Sequence, residues 1–288
     1  IHFDHIFIIG SSHTMYFSGA AVYKQGNFIT PLGKVKIDPL ANQLIEQYKV
    51  FNDDRNPHIK EHSLEVQLPF LQYWLNTDFS IVPIIIGGEN TETSKKVAEA
   101  LKPYFTKKNL FIISTDFSHY PGYEQAKQCD KAVADAITTN SANHFLKVKQ
   151  SLENKNIHNL ATAMCGWTSV CSLLKITEKL SDVRYQIICY KNSGDTPYGD
   201  KDRVVGYYSI AVLHENEKQN QTAFSLSDED KITLLQIARN TLTDYIPDQN
   251  IPNFDTKKLS SSLLVPAGAF VTLKKDNNIR GSIRHFEY

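Results

Sequence analysis

Four short polar stretches carry the residues able to do chemistry. Gly10-Ser11-Ser12-His13 directly follows an apolar run, and a glycine with two serines suits a tight turn from which a histidine can point into a crevice. Ser114-Thr115-Asp116-Phe117-Ser118-His119 follows a second apolar run. Cys165-Gly166-Trp167 opens a helical pattern, where unpaired backbone N–H groups favour a thiolate. Residues 61–70, EHSLEVQLPF, are denser in polar groups than the start of a helix needs. Histidine, carboxylate and thiolate at one sheet edge form a borderline-soft donor set. That set suits iron, copper or zinc and suits magnesium or calcium poorly.

Each stretch also has a plainer reading. A single histidine after a strand is more often a hydrogen-bonded turn residue than a ligand, and Asp116 could simply cap a turn. A lone cysteine is more often a small buried hydrophobe, and Cys171 and Cys189, on apolar faces, are read that way. In the EHS stretch Leu64, Leu68, Leu71 and Leu75 mark a core-facing stripe that leaves Glu61, His62 and Glu65 elsewhere. Two readings stay open there: a capped surface helix kinked at Pro69, or His62 at the mouth of a site. The plain readings weaken if His13, Asp116, His119 and Cys165 converge on one pocket.

Convergence depends on the elements that carry them. Apolar, β-branched and aromatic runs at residues 5–10, 79–87, 110–115, 185–190 and 204–213 predict strands. Helical patterns fall between them at 38–48, 61–75, 91–104, 124–138 and 162–180. This alternation predicts an α/β fold, a three-layer α/β/α sandwich around a largely parallel sheet. In such sheets ligands gather outside the carboxyl ends of the strands, where the GSSH and STDFSH stretches fall.

The alternation stops after His214, and residues 215–223 are polar without an apolar period. The expected organisation is a metal-site domain over 1–214 that begins inside a domain, a linker at 215–223, and the start of a second, partial α+β domain over 224–288. There Ser227 precedes three acids as an N-cap, an amphipathic helix follows through Tyr245, and residues 268–286 alternate like a hairpin turning at Asn277-Asn278. Thirty-one basic residues cancel thirty-one acidic ones, so no global field calls for nucleic acid or an anionic membrane. Four cysteines without a CxxC pair make neither a disulfide framework nor a structural zinc site, and a reducing, cytoplasmic compartment is expected. No apolar run is long enough to span a bilayer.

GSSH, EHSLEVQLPF, STDFSH, CGW and VVGYYSIAVL at residues 204–213 resemble, in order, the Memo family. The resemblance implies a fold like the LigB-type extradiol dioxygenases and a metal held by two histidines and a cysteine. His13 and Cys165 match two of those ligands, and Asp116 and His119 match polar residues beside the metal. The family's other histidine belongs to an HAGY-like motif ahead of the GSSH strand, and no such segment occurs in these 288 residues. Residues 226–242 and 266–283 resemble an AMMECR-type domain, with RGSIR where that family usually reads RGCIG. The pairing resembles the AmmeMemoRadiSam system and implies a radical-SAM protein as partner.

The leading functional expectation is a metal-dependent redox protein using iron or copper, with zinc also accepted, resembling a dioxygenase. His13 and Cys165 would be ligands, His119 would move protons, Asp116 would orient it, and His62 would stand at the mouth. The competing class is a non-catalytic module that binds a metal, small molecule or peptide in the same crevice.

Overall fold

The computed structural model describes residues 2–75, 77–88, 90–214, 226–248, 259–264, 269–276 and 278–285. The chain divides into two compact units, Ile1–Asn216 and Glu217–Tyr288. The first unit begins with β1 (Ile6–Ser11), β2 (Ala20–Val22), β3 (Asn27–Thr30), β4 (Gly33–Ile37), α1 (Leu40–Gln47) and β5 (Phe51–Asn52). It continues through α2 (Asn56–Ile59), a 3-10 turn at Glu65–Gln67, α3 (Leu68–Leu75), β6 (Ser80–Ile86), α4 (Thr91–Leu101) and β7 (Leu110–Ile113). The remainder is α5 (Tyr123–Thr138), α6 (Ala142–Glu153), α7 (Trp167–Thr177), β8 (Val183–Asn192) and β9 (Gly206–His214).

The main sheet runs β3-β4-β6-β1-β7, with β2 paired to β6 and β5 paired to β2. Four of its strands are parallel: β4, β6, β1 and β7. Their apolar content explains their place, because β1 is buried along its whole length. Alternate side chains of β1 serve opposite faces. Phe7 and Ile9 meet Leu40 and Leu44 of α1, Val97 and Leu101 of α4 and Ile176 of α7. Ile6 and Ile8 meet Leu64 and Leu68, with Leu71 and Leu75 partly buried against the same cluster. Helices thus cover both faces of a mostly parallel sheet, and the fold is the three-layer α/β/α sandwich.

Three parts of the expected layout are corrected. The strands expected at 185–190 and 204–213 pair antiparallel as the β8–β9 ribbon, apart from the parallel ladder. The connection between them holds only a 3-10 turn, Ser193–Asp195, and no helix to carry a parallel crossover. Cys189, expected to be buried, is exposed. The ribbon's register shifts between Ile187 and Cys189, and such a bulge upsets the inward and outward alternation. Cys171 is buried as expected. Pro69 is the second residue of α3, so it helps to start that helix and does not kink it.

The second unit holds α8 (Asp228–Asp248), a 3-10 turn at Ser261–Leu264, β10 (Ala269–Lys275) and β11 (Asn278–His285). Ser227 caps α8: its Oγ accepts the Asp230 N–H at 3.0 Å while its own N–H donates to Asp230 Oδ2 at 3.0 Å. β10 and β11 form an antiparallel hairpin in which Asn278 already faces Lys275, one residue earlier than the expected turn allows. The expected linker, 215–223, lies outside the described residues. Among the described residues no helix is long and apolar enough to cross a membrane.

Phe7 is fully buried and stacks on Phe111 with ring centroids 4.4 Å apart, whereas Phe70 on α3 is 68% exposed. Phe7→Ala should cost about 3–5 kcal/mol in urea unfolding of the first unit. Phe70→Ala should stay within roughly 0.5 kcal/mol of the parent. Equal losses at the two positions would contradict this assignment of core and surface.

Candidate metal centre

β1 and β7 are neighbours in the parallel ladder, so the turns after them emerge at one sheet edge. His13 stands two residues past β1. Its backbone N–H donates to Glu61 Oε2 at 2.8 Å, and its ring Nδ1 lies 2.9 Å from Glu61 Oε1. The Ser63 N–H donates to the same Oε1 at 3.1 Å. Burial alone would raise the Glu61 carboxyl. The donors from His13 and Ser63 outweigh it and bring the carboxyl down to about 2. An ionised carboxylate only accepts, so it holds the proton on Nδ1 and leaves Nε2 facing away from it. Gly10 makes this close approach feasible, because a Cβ there would stand 2.5 Å from Ser63 Oγ.

Cys165 arrives from the chain ahead of α7, where a helix was expected from residue 162. Those residues pair instead with the turn after β7. His119 N–H donates to the Thr162 carbonyl, Ala161 N–H to the His119 carbonyl, and Cys165 N–H to the Asp116 carbonyl, at 3.0, 3.0 and 3.3 Å. Gly166 N–H donates to Thr115 Oγ1 at 2.9 Å, and a Cβ on Gly166 would stand 2.4 Å from that oxygen. At the other side of the cleft, Ser11 Oγ hydrogen-bonds Thr168 Oγ1 and Ser169 Oγ in the first turn of α7.

These contacts bring His13 Nε2 to 3.4 Å from Cys165 Sγ. The donor atoms of Asp116, His119 and Cys165 lie within 4.8 Å of one another, and so do those of His13, Glu61 and His62. Hydrogen bonds with Cys165 and then Glu61 raise His13 to about 10. Burial pushes the Cys165 thiol up, but hydrogen bonds from His119 and His13 prevail and bring it down to about 6. Asp116 first, and then Cys165, raise His119 to about 9. The Asp116 Oδ2 to His119 Nε2 separation is 3.5 Å, and that buried nitrogen has no hydrogen-bond partner. Asp116 thus acts on the ring through this close approach. His62 is exposed, its ring centroid 5.1 Å from that of His13. A cleft of about 430 Å³ opens above His13 and Cys165, bordered by Ser12, Thr14, Met15, Tyr16, Trp167 and Thr168.

Of the residues expected to converge, His13 meets Cys165 directly and Asp116 and His119 cluster with Cys165, while the exposed His62 clusters with His13 and Glu61; among them only His13 and Cys165 line the cleft. Glu61 is the residue that sequence reasoning missed. The leucine stripe of a surface helix sent it outward, yet its side chain is 1% exposed beneath His13. The excess of polar groups in EHS was the available signal. Thr115, within STDFSH, anchors Gly166.

The family profile described as Memo-like protein matches residues 2–211. A MEMO1 family protein of Methanosarcina mazei is 36% identical over 213 residues, covering 73% of this chain and 75% of its own. MEMO1 family proteins of Methanopyrus kandleri and Sulfurisphaera tokodaii are each 32% identical, over 209 and 216 residues. Those alignments cover 71% and 72% of this chain and 71% of each relative. The solved structure of an uncharacterized protein from Escherichia coli K12 superposes with a TM-score of 0.45 at 14% identity, covering 70% of this chain and 84% of that one. On the extent of the profile match and the identity to these relatives, the chain belongs to the Memo family.

Proposed function

We propose that the first unit is a metal-dependent redox protein of the Memo type, in which His13 and Cys165 hold iron or copper and would also accept zinc. The observation that carries this reading is the 3.4 Å approach of His13 Nε2 to Cys165 Sγ, with Glu61 behind the imidazole. Metal bonds of about 2.0–2.1 Å to nitrogen and 2.3 Å to sulfur, at a tetrahedral angle, separate the two donors by roughly 3.6 Å. The observed 3.4 Å is close to that separation, which supports a shared ion. A carboxylate behind the ring is the usual partner of a ligating histidine, fixing its tautomer and raising its basicity. Imidazole plus thiolate suits borderline-soft ions, and iron or copper there would supply Lewis acidity and electron transfer of a dioxygenase-like kind.

The surrounding residues have distinct tasks in this reading. His119 holds its proton because Asp116 and the Cys165 thiolate favour the charged ring. Neutralising the thiolate weakens that hold and moves the ring toward the range where Nε2 can take and return a proton near pH 7. Asp116 orients it by charge. His62, at the rim, meets the ligand as it enters, and the cleft takes a small molecule or a peptide segment. The second unit is read as the start of an AMMECR-type domain and a radical-SAM protein as partner, as in AmmeMemoRadiSam systems of the cytoplasm. The resemblance of residues 226–242 and 266–283 supports this.

Elemental analysis after anaerobic purification tests the centre. Cys165→Ala and His13→Ala should lose the metal, whereas His119→Ala should keep it and lose turnover by about two to four orders of magnitude once a substrate is found. If His119→Ala loses metal as completely as Cys165→Ala, His119 is a ligand and its acid/base role fails. Glu61→Gln should weaken metal binding by roughly 10- to 100-fold.

A second measurement follows the thiol itself. In metal-free protein, alkylation of Cys165 requires the thiolate, so its rate should rise with pH through a midpoint near 6 and fall away below it. His119→Ala removes a hydrogen bond that lowers the thiol and should move the midpoint upward. A midpoint in the ordinary thiol range would mean that the two imidazoles do not act on Cys165.

A further inference from the structure

Asp130, on α5, is a fully buried carboxylate outside the set of donors. Its Oδ1 accepts the Ser118 N–H at 2.8 Å, and its Oδ2 accepts the Tyr190 hydroxyl at 2.8 Å. Asn192 Nδ2 donates in turn to the Tyr190 oxygen at 3.3 Å. The carboxylate lies directly against β9: a Cβ on Gly206 would stand 1.8 Å from Oδ2, so only glycine leaves it room. Across this point the turn after β7 is paired with the start of β9. Phe117 N–H donates to the Gly206 carbonyl at 2.9 Å, and Gly206 N–H to the Ser118 carbonyl at 3.0 Å.

One side chain thus ties three separate segments together: α5, the β8–β9 ribbon and the STDFSH turn. Stability alone does not call for a carboxylate here, since buried charges can often be replaced by well-packed apolar groups at no net loss. What it does provide is direction. The amide it holds belongs to Ser118, the immediate neighbour of His119, whose own N–H and carbonyl are taken by Thr162 and Ala161. With the backbone held on both sides, the ring is kept close to Cys165.

We propose that Asp130 is a positioning residue for the candidate metal centre: by fixing the Ser118–His119 peptide against β9, it sets where the His119 ring stands relative to Cys165. Tyr190 holds the carboxylate in the orientation that does this. The proposal rests on the metal-centre reading only for what His119 is for; the positioning itself concerns the protein alone.

The test compares crystal structures of the metal-free parent and variants, read at the His119 ring. Asp130→Asn keeps the shape and lets the amide oxygen meet Ser118, while exchanging an acceptor for a donor at Tyr190. The His119 ring should leave its place beside Cys165 while α5, β8 and β9 keep theirs. Tyr190→Phe should act in the same sense with a smaller displacement, and it serves if Asp130→Asn does not fold. Movement of β9 together with the turn would mean that Asp130 merely supports the fold, and a ring that stays in place would mean that Asp130 does not position it; either result overturns the proposal. Zinc uptake by the parent chain is measured alongside. Its absence would sink the metal-centre reading and leave the outcome of the comparison unaffected.

Discussion

The site depends on one buried charge. Glu61 lies beneath His13 with its side chain almost wholly removed from water, and an ionised carboxylate in such a place must be met by donors or give up its charge. It is met three times, by the His13 ring, the His13 amide and the Ser63 amide. Those bonds do two things together. They fix the turn after β1 to the EHS segment, and they settle which imidazole nitrogen is left for Cys165. Remove the carboxylate and both the loop and the tautomer lose their reason.

From Glu61 the order of groups alternates in sign: carboxylate, imidazole, thiolate, imidazole, carboxylate, ending at Asp116. The anionic groups favour the charged form of the imidazoles between them, and the imidazoles favour the thiolate, which is why two histidines are raised and the thiol between them is lowered. The arrangement holds protons on the imidazoles beside the thiolate, where a cation would compete for the same nitrogen. Metal binding at this site, as proposed, would therefore be coupled to pH, since an ion would displace protons from its ligands.

The scaffold reaches this geometry through adjacency. β1 and β7 are neighbours in a parallel ladder, so the turns after them are separated by little more than one strand spacing of about 4.8 Å. Cys165 comes from more than forty residues further along the chain, and backbone pairing with residues 116–119 places it. The same turn is held from behind by β9 and by Asp130. A flexible loop would not keep a thiolate 3.4 Å from an imidazole; here each contributing turn is bonded on both sides.

The sequence by itself determined the layers and the shortlist. Apolar runs alternating with helical periods specify a parallel sheet covered on both faces, and polar residues directly after β1 and β7 share an edge because parallel strands all point the same way. What it could not determine was decided by contacts between distant segments. Glu61 looked like a surface residue because helical periodicity ranks positions by hydrophobicity, and periodicity has no means of registering a buried anion satisfied by donors elsewhere. Residues 162–166 carry a helical pattern yet pair with another loop, since backbone groups near a sheet edge bond to whatever partner the fold presents. Cys189 turned outward because a one-residue irregularity in the ribbon changed the face that each later side chain takes. Asp130 showed no signal at all, because a single acid on an amphipathic helix gains its meaning only when Ser118, Tyr190 and Gly206 have been brought around it.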